Sequence, residues 1–146
     1  MIKRYTWNDS ISTGIAEIDL QHKQFFSVFE EFANQLEQGI AAKELRKLLV
    51  FLQYYGEWHF GREEGCAARF HCPVAETNMK AHKNYLDTVA SLIKQCREEA
   101  PTEELAHTAY AILTDWLVNH IMKIDKQIGA EVQQSQLNDS KQQKCA

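Results

Sequence analysis

Four segments of this chain carry apolar residues at steps of three and four, and each stripe also holds one histidine. Such a pattern specifies a helix with one buried face. In the first segment His22, Phe25, Phe29, Phe32 and Leu36 share a face, and Gly39 supplies a stop. The second carries Leu45, Leu48, Leu52, Tyr55, His59 and Glu63 and ends before Pro73. The third runs from the Pro73–Thr77 region through His82, Tyr85, Val89 and Leu92 to Cys96. The fourth opens after Pro101, with Thr102 as N-cap, and carries Leu105, Ile112, Trp116 and His120. No stretch alternates apolar and polar residues long enough to compete as a strand. Four amphipathic helices with short connections predict an all-α chain folded as an antiparallel up-down four-helix bundle. The first 17 residues read as an extended N-terminal arm anchored by Trp7 and Ile15. From Glu131 the stripe fades into Gln, Ser, Asn and Lys. Residues 1–130 therefore form the expected bundle, and 131–146 a frayed helix end or polar linker.

A single histidine on an apolar face is ordinarily a satisfied core residue. Four of them on four helices, with Glu63 and Asp125 nearby, require a common partner. A buried, unpaired carboxylate costs several kcal/mol, and a metal would satisfy all six groups together. Imidazole and carboxylate without thiolate suit iron, manganese or zinc; six ligands exceed one tetrahedral zinc and fit two metals bridged by carboxylates. The spacings differ in strength. His59 and Glu63 are four apart and share a helix face, as do Asn78 and His82. His120 and Asp125 are five apart, a rotation of about 140° in a regular helix. Either the fourth helix carries a one-residue bulge or Asp125 reaches round the axis.

At 146 residues the chain can bury a core without disulfides. Its net charge of −4 argues against a nucleic-acid partner or an anionic membrane surface. The N-terminal stretch MIKRYTWNDS lacks the apolar core of a signal peptide, and no apolar run is long enough to span a membrane. Cys66, Cys72, Cys96 and Cys145 are scattered, so reduced thiols and a cytoplasmic location are the expectation.

Taken in order, a tryptophan in the arm, I-D-L-Q-H22, H59-F-G-R-E63, His82 and H120-I-M-K-I-D125 resemble a bacterial hemerythrin domain, over roughly Tyr5 to Ala130. The resemblance implies an oxo- or hydroxo-bridged pair of irons that binds O2. It implies that His22 and His59 hold one iron, that Glu63 and Asp125 bridge, and that His82 and His120 hold the other. It also places Phe60, Trp116, Leu117 and Ile121 around the O2 pocket, although packing alone accounts for these four equally well. The family has a further histidine four residues before His82, where this chain has Asn78. Ala67 and Cys72 stand where the family often has methionine and tyrosine. His71 is eight residues beyond Glu63, about 12 Å along a helix, and His107 is about 20 Å before His120, so neither is placed to substitute.

An amide oxygen is a weaker donor to iron than imidazole. Asn78 is expected to hold a water and leave that iron with an exchangeable position open to small anions. A short-lived oxygen adduct follows, which favours an oxygen or redox sensor cycling between diferrous and diferric states. Its signalling output module would be fused or separate, with the polar tail as linker. The alternatives are an oxygen carrier or scavenger, and a di-iron enzyme acting on peroxide, nitric oxide or Fe(II). Gly56, Gly61 and Gly65 lie inside the second helix, where close helix approach is the expected reason for them.

Overall fold

The computed structural model describes residues 2–145, with side chains described through residue 139. Four long helices follow one another: α1 (Ala16–Glu37), α2 (Ala41–Arg69), α3 (Ala75–Glu98) and α4 (Glu103–His120). A π-turn (Ile121–Asp125) then joins α4 without a break to α5 (Lys126–Cys145). Helix α1 packs on α2 and α4, and α3 on the same two, so the bundle closes as a ring with short connections. This is the all-α four-helix bundle that the stripes predicted.

Local chemistry sets the ends. Gly39, at φ 71°, closes α1: its N–H reaches the Leu36 carbonyl, and the Ile40 N–H reaches that of Gln35. That double bond is a Schellman cap. Helix α2 ends in the same way with a different residue. His71 takes φ 51°, its N–H bonds Ala68 O, and the Cys72 N–H bonds Ala67 O. Thr102 caps α4 by accepting a bond from the Leu105 N–H at 3.0 Å. The arm contains one 3-10 turn (Asp9–Ile11) and reaches α1 earlier than residue 17. Asp19 of α1 accepts bonds from the Thr13 N–H and Oγ1 at 2.8 Å, and from Ser12 Oγ, which ties the arm down.

The main core joins Phe25, Phe29 and Phe32 to Leu45, Leu49, Leu52, Tyr85, Val89 and Leu113. A second, smaller cluster gathers Ala67, Cys72, Ile128 and Val132. On α2 the pair His59/Glu63 falls between the two clusters, and on the fourth rod Asp125 does the same. Trp7 and Ile15 pack against the main and the small cluster respectively, as anchors should. Some stripe positions differ from the expectation: Leu48, Tyr55, Leu105 and Trp116 are only half-buried, Leu49 is buried in place of Leu48, and Ile112 is exposed. The tail is helical, and its buried face continues to Val132, because Ile128 and Val132 still have the small cluster to cover. Beyond Val132 only Ser135 is even half-buried among the described side chains. No helix among the described residues is long and apolar enough to cross a membrane. Cys66, Cys72 and Cys96 are free thiols; the Cys145 side chain lies outside the described residues.

Close approach explains one of the three glycines inside α2. A Cβ on Gly56 would lie 3.1 Å from the Tyr85 ring, whereas Gly61 and Gly65 face open space, with no atom within 4 Å.

Candidate metal centre

Each helix delivers its histidine to the same depth. His22 comes from α1, His59 and Glu63 from α2, His82 from α3 and His120 from the last residue of α4; all are buried. Asp125 arrives through the π-turn. The Lys126 N–H bonds the carbonyl of Ile121, five residues back. Such an i→i+5 turn sets residues five apart over one another, so Asp125 lies on the His120 face. Of the two possibilities left open by the spacing, the bulge is the one realised.

The six groups form two sets that share both carboxylates: His22, His59, Glu63 and Asp125, and Glu63, His82, His120 and Asp125. Glu63 Oε2 lies 3.3 Å from His59 Nε2 and 3.7 Å from His22 Nε2, while its Oε1 lies 3.1 Å from His82 Nε2 and 3.7 Å from His120 Nε2. Asp125 Oδ2 is 3.1 Å from His22 Nε2, and Oδ1 is 3.1 Å from His120 Nε2. Each carboxylate thus gives one oxygen to each pair of imidazoles. The Nε2 atoms of His82 and His120 are 3.0 Å apart.

Many of these short distances are not hydrogen bonds. His22 Nε2, Glu63 Oε2 and Asp125 Oδ1 are buried without a hydrogen-bond partner, despite neighbours 3.1 to 3.7 Å away. Their lone pairs converge on common points rather than on one another. Two cations at those points would satisfy them, so the donor set and its geometry fit a carboxylate-bridged metal pair.

Without metals, the carboxylates favour the protonated forms of two of the four imidazoles. Burial opposes protonation of His22 and of His120, but the Asp125 and Glu63 carboxylates outweigh it and raise both to about 9. Burial also opposes ionisation of Glu63, yet the surrounding His120, His22, His59 and His82 hold it well below the usual carboxylate range. For His59 burial wins over Glu63, and its pKa falls.

Behind the ligands stand residues that the sequence did not single out. Gln21 Oε1 lies 2.6 Å from His59 Nδ1, and Tyr55 Oη donates to the Gln21 carbonyl at 2.8 Å. Glu64 Oε1 lies 3.4 Å from His82 Nδ1. Tyr55 was on the apolar stripe, but periodicity could not find Gln21 and Glu64, since each acts beside the stripe and not on it; adjacency to His22 and Glu63 is their only sequence signal. Phe60 stacks on His82, with centroids 3.9 Å apart, and Trp116 stacks on His120 at 4.4 Å. Leu117 and Ile121 are buried in the same core. Asn78 is wholly buried, on the His82 face of α3, and neither atom of its amide has a hydrogen-bond partner. His71 is exposed as the left-handed residue of the α2 cap, and His107 lines a groove with Ile2 and Tyr5 at the arm; neither belongs to either set.

Residues 13–132 match the model of the hemerythrin HHE cation binding domain. The chain is 23% identical over 127 residues to the bacteriohemerythrin of Clostridium acetobutylicum, covering 84% of this chain and 97% of that protein. It is 28% identical over 121 residues to the myohemerythrin of Riftia pachyptila, covering 83% and 88% respectively. With the bacteriohemerythrin of Pseudomonas aeruginosa it shares 26% identity over 119 residues, 82% of this chain and 75% of the other.

Proposed function

The chain belongs to the hemerythrin HHE cation-binding family, and on that premise we propose that it is a di-iron O2-binding domain which works as an oxygen or redox sensor. The observation that carries this reading is the pair of carboxylates, each offering one oxygen to either pair of histidines. In this reading His22 and His59 hold one iron, His82 and His120 the other, and Glu63 and Asp125 join them. Bound there, an iron pair supplies two electrons and a coordination position to O2. The protein's own part is to keep water out and the donors fixed. Buried Phe60, Leu117 and Ile121 and half-buried Trp116 close the core around the histidines, and ring stacking restrains His82 and His120.

Two observations favour a sensor over a store. On the resemblance Asn78 stands where the family has a histidine, and its buried, unpartnered amide suits a solvent-derived ligand beside His82. Small anions would enter at the same place, so an oxygen adduct would be short-lived. The second is that Asp125 ends the π-turn from which α5 starts, so a ligand and the polar tail share one continuous rod. Residues 131–146 then serve as the linker to a signalling module, fused or separate, in the cytoplasm. The carrier reading keeps one point in its favour, the name myohemerythrin borne by a relative matched over 88% of its length.

The test is the visible spectrum after anaerobic reduction and return to air, followed in time beside metal analysis. Two irons per chain and rapid passage to the diferric spectrum are expected. A persistent oxygen adduct would make the chain a carrier. One iron or one zinc per chain, in protein from iron-replete cells, would overturn the paired site.

A further inference from the structure

The outward ring nitrogens of two ligand histidines meet partners of different charge. His59 Nδ1 faces the neutral amide oxygen of buried Gln21 at 2.6 Å. His82 Nδ1 faces the carboxylate of Glu64 at 3.4 Å, an ion-pair contact that is not closed into a hydrogen bond. Glu64 follows Glu63 on α2 and so turns by about 100° from the centre, into a groove of about 610 Å³ between α2 and α3. His82 and Phe60 line the same groove, and the Glu64 side chain keeps 30% of its exposure there. The two lysines of the groove are engaged by carboxylates of their own helix, Lys80 by Glu76 at 3.0 Å and Lys83 by Asp87 at 2.7 Å. Among the described residues, His82 is the one charged or ionisable partner of Glu64.

We propose that Glu64 is a positioning residue for His82, and that it offsets the loss of a histidine at Asn78; the inference rests on the di-iron reading. A carboxylate at ion-pair distance behind the imidazole favours the proton on Nδ1, and on closing to a hydrogen bond would turn the Nε2 lone pair to the metal and make that nitrogen a stronger donor. The His82/His120 half is where such help matters, because it has one imidazole fewer than the family pattern. On the other half a neutral amide suffices to orient His59. The arrangement makes the two halves more nearly equal in donor strength than their ligand lists suggest.

The variants Glu64→Gln and Glu64→Asp test this in the full chain, with iron affinity, reduction potential and charge-transfer spectrum as readouts. Glu64→Gln is expected to fold and to reach two irons at saturation. It should hold the more weakly bound iron about tenfold to a hundredfold less tightly, in the range found for outer partners of metal ligands. Loss of a nearby negative charge favours the diferrous state, so the potential should rise; a tenfold change is about 59 mV for one electron. Glu64→Asp should recover part of both effects. A merely structural Glu64 would change the unfolding midpoint and leave potential and spectrum alone. Wild-type potential, spectrum and affinity in a folded, two-iron Glu64→Gln protein would overturn the inference while leaving the di-iron reading intact. A native chain without paired iron would overturn both.

Discussion

On the α1–α2 side of the centre His22 and His59 meet edge to face, 4.9 Å between centroids, with Phe25 edge-on to His59 at 5.4 Å. On the α3–α4 side the two imidazoles are clasped flat, His82 beneath Phe60 and His120 beneath Trp116, with interplanar angles of 10° and 11°. The carboxylate oxygens are shared evenly between the sides. What differs is how the rings are held: an amide and edge contacts on one side, a carboxylate and stacked aromatics on the other. The side with the heavier scaffolding is also the side with Asn78. Beside Asn78, the chain constrains both neighbouring imidazoles.

The change that should do most damage strikes both halves together. Glu63→Ala removes one oxygen from each side and strands four buried imidazoles. It should lower metal content below two irons per chain and cost about 3–5 kcal/mol, read by metal analysis and urea unfolding. If one iron remained with the stability of the native chain, the halves would be independent sites and not a bridged pair.

Leu117→Asn should come next. Placing an amide without a partner in the buried core should cost about 2 kcal/mol or more and hasten air oxidation of the diferrous form, by admitting water. Unchanged oxidation in a folded variant would put the oxygen pocket elsewhere. Asn78→His aims at the difference itself. Residue 78 shares a face with His82, so a histidine there would complete the family's set, bind iron at least as tightly and lengthen the life of the oxygen adduct. Azide should then bind the diferric protein more slowly. Equal lifetimes and anion rates would show that Asn78 does not leave a position open.

A pH series on chelator-stripped protein compares one histidine from each half. His22 and His120 are both raised from 6.5 to about 9, so their protonated forms stabilise the metal-free fold below pH 6.5. That contribution is lost as pH rises through 9, and the urea midpoint should fall between the two values. Metal excludes those protons, so the loaded protein should show a flatter profile. The smallest effect belongs to neither half. Gly61→Ala meets open space in a helix and should stabilise the chain by about 1 kcal/mol with metal content unchanged.

What the sequence made legible was whatever depends on helical phase. His22, His59, His82 and His120 could be placed on inward faces because the surrounding Phe, Leu and Tyr repeat with the same period. Glu63 came with His59 at one turn's distance. Asp125 could not be placed that way, since five residues fit a face only through a turn that periodicity assumes away. Gln21 and Glu64 were hidden for another reason: phase says which way a residue points, not which atom of a neighbouring ring it meets. His71 shows the same limit at a helix end, where a histidine occupies the left-handed cap position that Gly39 fills for α1. Ile112 was misplaced outright, since it continued the stripe on paper and lies on the exposed flank of α4.

The π-turn has a consequence for everything downstream of it. In a regular helix each residue adds about 100° of rotation, and one residue absorbed by the turn sets the phase of α5 back by that amount. This is why Ile128 and Val132 come round to the same side of the rod as Leu113 and Leu117; an unbroken helix would have carried them toward the flank. The turn therefore works as a phase coupler between Asp125 and the last helix. A shift of Ile121–Asp125 to ordinary i→i+4 bonding would twist Lys126–Cys145 by about 100° about its own axis. The same change would advance that helix along its axis by the rise of one residue, about 1.5 Å, at the point where the polar tail departs.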